Sequence, residues 1–145
     1  DYLPTQLDML IALHACDTAT DLAIATGIKQ NAGIIVVAPC CHKQIRRDIT
    51  IPESMQAIMK HGILMERQAE ILTDTIRALL LEANGYRTKV FEFISHEETS
   101  KNIMITAERL SATKKSEEIA EKYRTISDIK KNFGIKSHFL EHLLG

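Results

Sequence analysis

Two short stretches hold the side chains best suited to chemistry. "LHACD" places His14, Cys16 and Asp17 close together, and "VVAPCCHKQIRR" places Cys40, Cys41, His42, Lys43, Arg46 and Arg47 just beyond a proline. Thiolate and imidazole are the usual ligands of zinc. The spacing argues against it: there is no C-x-x-C, and adjacent cysteines rarely both reach one tetrahedral ion, so no bound metal is expected. A disulfide between Cys40 and Cys41 would close a strained ring. A cysteine nucleophile needs a base and an acidifying charge, roles open to His14 or His42 and to Lys43. Buried cysteines at strand ends are also ordinary packing residues. The basic run of His42, Lys43, Arg46 and Arg47 suits either phosphate oxygens or a solvated loop.

The elements that position these residues follow from apolar patterning. Leu7 to Cys16 carries a short apolar run of the kind buried on both faces of a sheet. A helix then starts at Asp17 or Thr18, one of which caps it, with Asp21 as a first-turn charge; Gly27 and Asn31–Gly33 end it. "GIIVVAPC" is a second strand, stopped by Pro39. Strand, helix, strand is a βαβ unit with parallel strands, whose ligand site lies beyond the carboxyl ends of the strands. "HACD" and "PCCHK" therefore meet at one mouth.

From Pro52 to Asn84 the pattern is helical. Met55, Ile58 and Met59 share a face, Gly62 marks a break, and Ile63, Ala69, Leu72, Ile76, Leu79, Leu80 and Ala83 form a second apolar face. Asp74 and Arg77 are spaced as a surface i, i+3 pair. "NGY" stops the helix. "RTKVFEFIS" and "KNIMITAERL" read as strands, and the short "HEETS" between them makes them antiparallel neighbours. After Ser111 the chain turns charged and helical, with Ile119, Tyr123, Ile126 and Ile129 as a docking stripe.

Length and composition permit one ordinary globular unit: 145 residues, 45% hydrophobic, 26% charged. A net charge of −1 gives no global argument for nucleic acid or membrane. No apolar run spans a bilayer, and three cysteines make a poor disulfide framework. The expectation is a reduced, cytoplasmic protein that does not enter membranes.

"LHACDTATDLAI", "VVAPCCHKQIR", "HGILMERQAEILTDTIRALLLEANGYRTKVFEFIS" and "TSKNIMI", in that order from about Leu10 to Leu110, resemble class I S-adenosylmethionine-dependent methyltransferases. They are similar in particular to tRNA ribose methyltransferases with H-L-C-G and C-C-H-H elements at matching places. The resemblance implies an α/β, Rossmann-like sheet of order 3-2-1-4-5-7-6 with strand seven antiparallel. Leu10–Cys16 and Ile34–Pro39 would be strands four and five, Arg87–Ser95 and Asn102–Arg109 strands six and seven. The chain would then be the carboxyl half of a methyltransferase domain over residues 1–112, with a charged helical tail over 113–145.

The resemblance also implies roles. His14 and Asp17 fall beside the transferring methyl group as candidate catalytic residues, with Cys16 and Asp17 on the cofactor side. Cys40, Cys41, His42, Lys43, Arg46 and Arg47 fall on the substrate side, and RNA is the implied partner. Asp17 stands where the tRNA enzymes have glycine. The glycine-rich turn after strand one and the acidic residue after strand two, which hold S-adenosylmethionine, have no counterpart, since none of the 6 glycines forms a G-x-G cluster. The chain alone is therefore expected to be inactive and to bind the donor poorly. The alternative is a non-catalytic module that binds RNA or protein. In the complete fold strand four pairs with strand one, so "MLIALHA" is expected to be a bare apolar edge through which the chain self-associates.

Overall fold

The computed structural model describes residues 6–57, 60–93, 102–112 and 115–145. The chain runs β1 (Met9–Leu13), α1 (Thr18–Lys29), β2 (Ile34–Ala38) and α2 (Lys43–Asp48), then a 3-10 turn at Glu53–Met55. It continues as α3 (Gly62–Ala83), β3 (Tyr86–Glu92), β4 (Ile103–Arg109), α4 (Ser116–Asn132) and α5 (Phe139–Leu144). The strands form one mixed sheet of order β1-β2-β4-β3. β1 and β2 are parallel, with Leu10 opposite Ile35 and Ala12 opposite Val37. β4 is antiparallel to both neighbours and sets Ile105 opposite Val37 and Val90. A parallel pair needs a crossover, which α1 supplies, whereas β3 and β4 need none. The "HEETS" connection lies outside the described residues, as do Ile58 and Met59.

Alternation along the strands divides the sheet into two faces. Leu10, Ala12, Ile35, Val37, Ile105 and Ala107 turn toward the helices, where they meet Ile24, Ile76 and Leu80 in one core. Gly27, expected to end α1, lies inside it and is buried. A Cβ there would sit 2.7 Å from Ile35 Cδ1, so the missing side chain lets the helix lie directly on β2. Gly62 likewise does not break a helix but opens α3. Ile63, expected on the apolar face of α3, is 67% exposed, and the buried stripe starts at Ala69. Asn84 and Gly85 end the helix as expected, Gly85 with φ 88.

The charged carboxyl-terminal region folds onto the same unit. Ile126 of α4 and Leu140 of α5 belong to the core that holds Ile35 and Ile76. Tyr123, from the expected docking stripe, is 44% exposed. Lys122 of α4 pairs with Glu82 of α3 at 2.7 Å.

The opposite face of the sheet is apolar yet bare. Met9, Ile11 and Leu13 of β1, Ile34 of β2 and Phe91 of β3 are all exposed, Ile11 by 58%. β1 is also an edge, and no strand pairs with its outer side among the described residues. Among those residues no helix is long and apolar enough to cross a membrane.

Candidate active site

β1 and β2 end side by side, and the turns that leave them form one mouth. The His14 N–H donates to the Ala38 carbonyl at 3.1 Å, which extends the β1–β2 pairing to the rim. His14 and Asp17 both adopt left-handed backbone, φ 56 and φ 51, although neither is glycine. That double reversal folds "HACD" back over the strand ends. Cys16 Sγ lies 2.8 Å from Cys40 Sγ, and Cys40 Sγ lies 3.7 Å from Cys41 Sγ. The three sulfurs are within 4.8 Å of one another, so the adjacent cysteines do converge on one centre, against the expectation from spacing. The turn at Pro39 brings both of them to Cys16.

Proton sharing sets the three thiols apart. Hydrogen bonds from Cys40 and Cys41 to the Cys16 sulfur hold its pKa below the usual thiol value, helped by Lys43. Burial, reinforced by the neighbouring Cys16, pushes Cys40 up to about 12; Cys41 is also raised, chiefly by burial. Cys16, the exposed member, is thus the thiol that ionises first.

Asp17 does not cap its own helix. Its Oδ1 accepts the Gln44 N–H at 3.1 Å, so it caps α2 from across the mouth. Gln44 then ties α2 to the start of α5, donating to the Ser137 carbonyl and accepting from the Phe139 N–H, each at 3.1 Å. Lys43, Arg46 and Arg47 are exposed and lie three and four positions apart on α2, which puts them on one side of it. Arg46 pairs with Glu66.

His42 leaves this surface. It is 3% exposed, with Nε2 3.2 Å from Asp74 Oδ2. It lines a solvent-open cleft of about 550 Å³ with Pro39, Ile71, Asp74, Val90 and Ile103. Its Nδ1 is buried with no hydrogen-bond partner among the described residues.

Beneath the mouth lies an ionic network that spacing did not disclose. Arg77, fully buried, donates from Nε to Asp21 Oδ1 at 2.7 Å, from Nη1 to Asp74 Oδ1 at 3.0 Å and from Nη2 to the Asp17 carbonyl at 2.8 Å. The Asp74–Arg77 pair exists as expected but is buried, because Asp21, 1% exposed, faces it from α1. Asp21 is therefore an ion-pair partner and more than a charge at a helix start. Burial pushes its carboxyl up and Arg77 draws it back. His138 is buried close by, and its Nδ1 accepts the Leu140 N–H at 3.2 Å. Burial, with Arg77 and Lys130 nearby, lowers its pKa to about 3, so it is neutral. In sequence only the i, i+3 spacing of Asp74 and Arg77 hinted at any of this; nothing signalled Gln44 or the approach of Asp21.

Polar and thiol groups gathered beyond the carboxyl ends of parallel strands stand where α/β domains commonly hold ligands. Residues 2–48 match the model of a family described as a methyltransferase domain, and that segment contains β1, α1, β2 and every mouth residue through Arg47. The mixed α/β sheet is consistent with part of such a domain. No curated protein and no solved structure matches the chain.

Proposed function

We propose that the chain forms the acceptor-side wall of an S-adenosylmethionine-dependent methyltransferase that acts on RNA. The observation that carries this is the convergence of His14, Cys16, Asp17, Cys40 and Cys41 at the ends of β1 and β2, inside the segment similar to a methyltransferase domain. The order β1-β2-β4-β3, with β4 antiparallel to both neighbours, supports reading these strands as four, five, seven and six of the class I sheet.

The residues present do not by themselves cradle the donor. A class I site holds the donor's amino acid on a glycine-rich turn and its ribose on a carboxylate, and this sequence has no clustered glycines. What the chain offers is a wall for the acceptor. His14 is exposed at the rim, ready to orient an acceptor or take its proton. Asp17 is fixed by its bonds to Gln44 and Arg77, so its carboxylate has a set direction. Lys43 and Arg47 lie beside the mouth, where RNA phosphates would pass.

The bare β1 edge is where a donor-binding strand would pair. The chain self-associates through that edge, unpaired among the described residues, and through the apolar face beside it. Sedimentation should show mass rising with concentration, and Ile11→Lys should shift the chain to monomer. A wild-type monomer at high concentration would remove this part.

The test of the function is methyl transfer from labelled S-adenosylmethionine by the protein as the cell makes it, with RNA and protein acceptors offered in parallel. Label in RNA that disappears in His14→Ala or Asp17→Ala supports the reading. Label that enters only protein overturns the RNA assignment. RNA or protein binding with no transfer favours the non-catalytic module, which the bare sheet face would serve as a docking surface.

A further inference from the structure

We propose that Cys16, Cys40 and Cys41 form a three-thiolate site for zinc, with the fourth coordination position open to solvent. Zinc–sulfur bonds of about 2.3 Å in a tetrahedron place ligand sulfurs about 3.8 Å apart. The Cys40–Cys41 separation of 3.7 Å matches, the Cys16–Cys40 separation of 2.8 Å needs a small outward rotation of one side chain, and all three lie within 4.8 Å.

The ligands are also preorganised. Cys16 sits between two left-handed residues, His14 and Asp17, a backbone path that needs support from its surroundings. That support is the bond from His14 N to the Ala38 carbonyl and the bond from Gln44 N to the Asp17 carboxylate, which clamp the Cys16 turn onto the Cys40–Cys41 turn. A site held this way loses little freedom when it closes on an ion.

The donor set selects the ion. Three thiolates without carboxylate are soft ligands, which favour zinc over magnesium or calcium. Among the described residues no imidazole or carboxylate joins the cluster. Cys16 is exposed, so the remaining position faces the mouth. Three protein ligands and one exchangeable position are the pattern of a reactive zinc centre; a structural one closes all four. Lys43, two positions after Cys41, offsets part of the charge of a three-thiolate ion. The site stands whether or not the acceptor is RNA, since it needs only the three sulfurs.

The test uses the reduced wild-type chain, made metal-free with chelator under anaerobic conditions and titrated with Co(II). One equivalent should produce a thiolate-to-cobalt charge-transfer band and tetrahedral visible bands, and zinc should displace both. Cys16→Ser and Cys40→Ser should each weaken the competing zinc affinity by about tenfold or more with an unchanged circular dichroism spectrum. Wild-type protein that gives no charge-transfer band with Co(II) overturns the proposal without reliance on any variant. So does a Cys16–Cys40 disulfide, seen as loss of two hydrogens by mass, that forms in air at the same rate with and without zinc.

Discussion

Two polar clusters lie one above the other at the end of the sheet, and they use their side chains in opposite ways. The lower one, Asp21, Arg77, Asp74 and His42, is buried, and each guanidinium nitrogen of Arg77 has an oxygen partner. The upper one, Cys16, Cys40 and Cys41, is partly open to solvent and its members contact mainly one another and the His14 carbonyl. The lower cluster positions: Arg77 holds α1 to α3 and grips the Asp17 carbonyl, which fixes the turn above it. The upper cluster keeps its lone pairs available. Richness in polar atoms does not by itself mark a reactive site; unused bonding capacity at an accessible point does.

The sharpest way to break that contrast is to remove Arg77. Arg77→Ala leaves two buried carboxylates facing each other without their cation, and such losses cost about 3–5 kcal/mol. Urea unfolding should show that loss, with Ile11→Lys as host so that association does not enter the midpoint. A cost below about 1 kcal/mol would mean that the lower cluster does not hold the two helices together.

Acid should act next, on His138 beside the lower cluster. His138 is held at about 3 in the fold against 6.5 when unfolded, so between those values the unfolded chain binds the proton first. Its share of stability is complete above 6.5 and drains as pH falls, at up to about 1.4 kcal/mol per unit, or about 2 kcal/mol by about pH 5. Asp21 works in the other sense, because burial raises its carboxyl and protonation then favours the fold. His138→Asn keeps an acceptor for the Leu140 N–H and cannot titrate, so its stability should fall less steeply over the same range. Equal slopes would show that another group carries the acid response.

The sequence made the frame of this site legible and left its bonding hidden, for a physical reason. Apolar runs of strand length, "NGY" and the short link before β4 are local signals, and they gave the parallel pair, the end of α3 and the antiparallel hairpin. The mouth followed from the rule that parallel strands open at their carboxyl ends. Asp21 and Arg77 stand 56 positions apart, and only the packing of α1 beside α3 joins them. Adjacency argued that Cys40 and Cys41 would not both reach one centre, whereas the turn after Pro39 brings both to Cys16. His42 looked like part of a basic surface, yet it is buried against Asp74. Side-chain destinations of this kind depend on contacts between distant segments, which periodicity does not encode.

Asp17 sits between the clusters, its carbonyl gripped by Arg77 and its carboxylate capping α2, so it can separate positioning from chemistry. Asp17→Ala removes the cap on α2 and should cost about 1 kcal/mol. Asp17→Asn keeps an oxygen for the Gln44 N–H and should cost less than half of that. If the carboxylate charge serves the acceptor, methyl transfer falls in both variants; if Asp17 only shapes the turn, Asn restores it.

The smallest expected effect is the most telling for the upper cluster. Cys16 is exposed, and the partners of its sulfur among the described residues are Cys40, Cys41 and the His14 carbonyl, so little packing should depend on it. In chelator, Cys16→Ser should stay within about 0.5 kcal/mol of wild type, the usual range for an exposed substitution. Adding zinc should then part the two proteins. An ion that binds only the folded chain raises its stability by mass action, and more so as free zinc exceeds the dissociation constant. Wild type should gain stability in proportion to the logarithm of free zinc, while Cys16→Ser, with two sulfurs left, should gain little at the same concentration. A metal-free loss as large as that of Arg77→Ala would place Cys16 among the supporting residues and erase the difference between the clusters. Equal behaviour with and without zinc would leave the three sulfurs as a thiol cluster whose exposed member, Cys16, is its reactive atom.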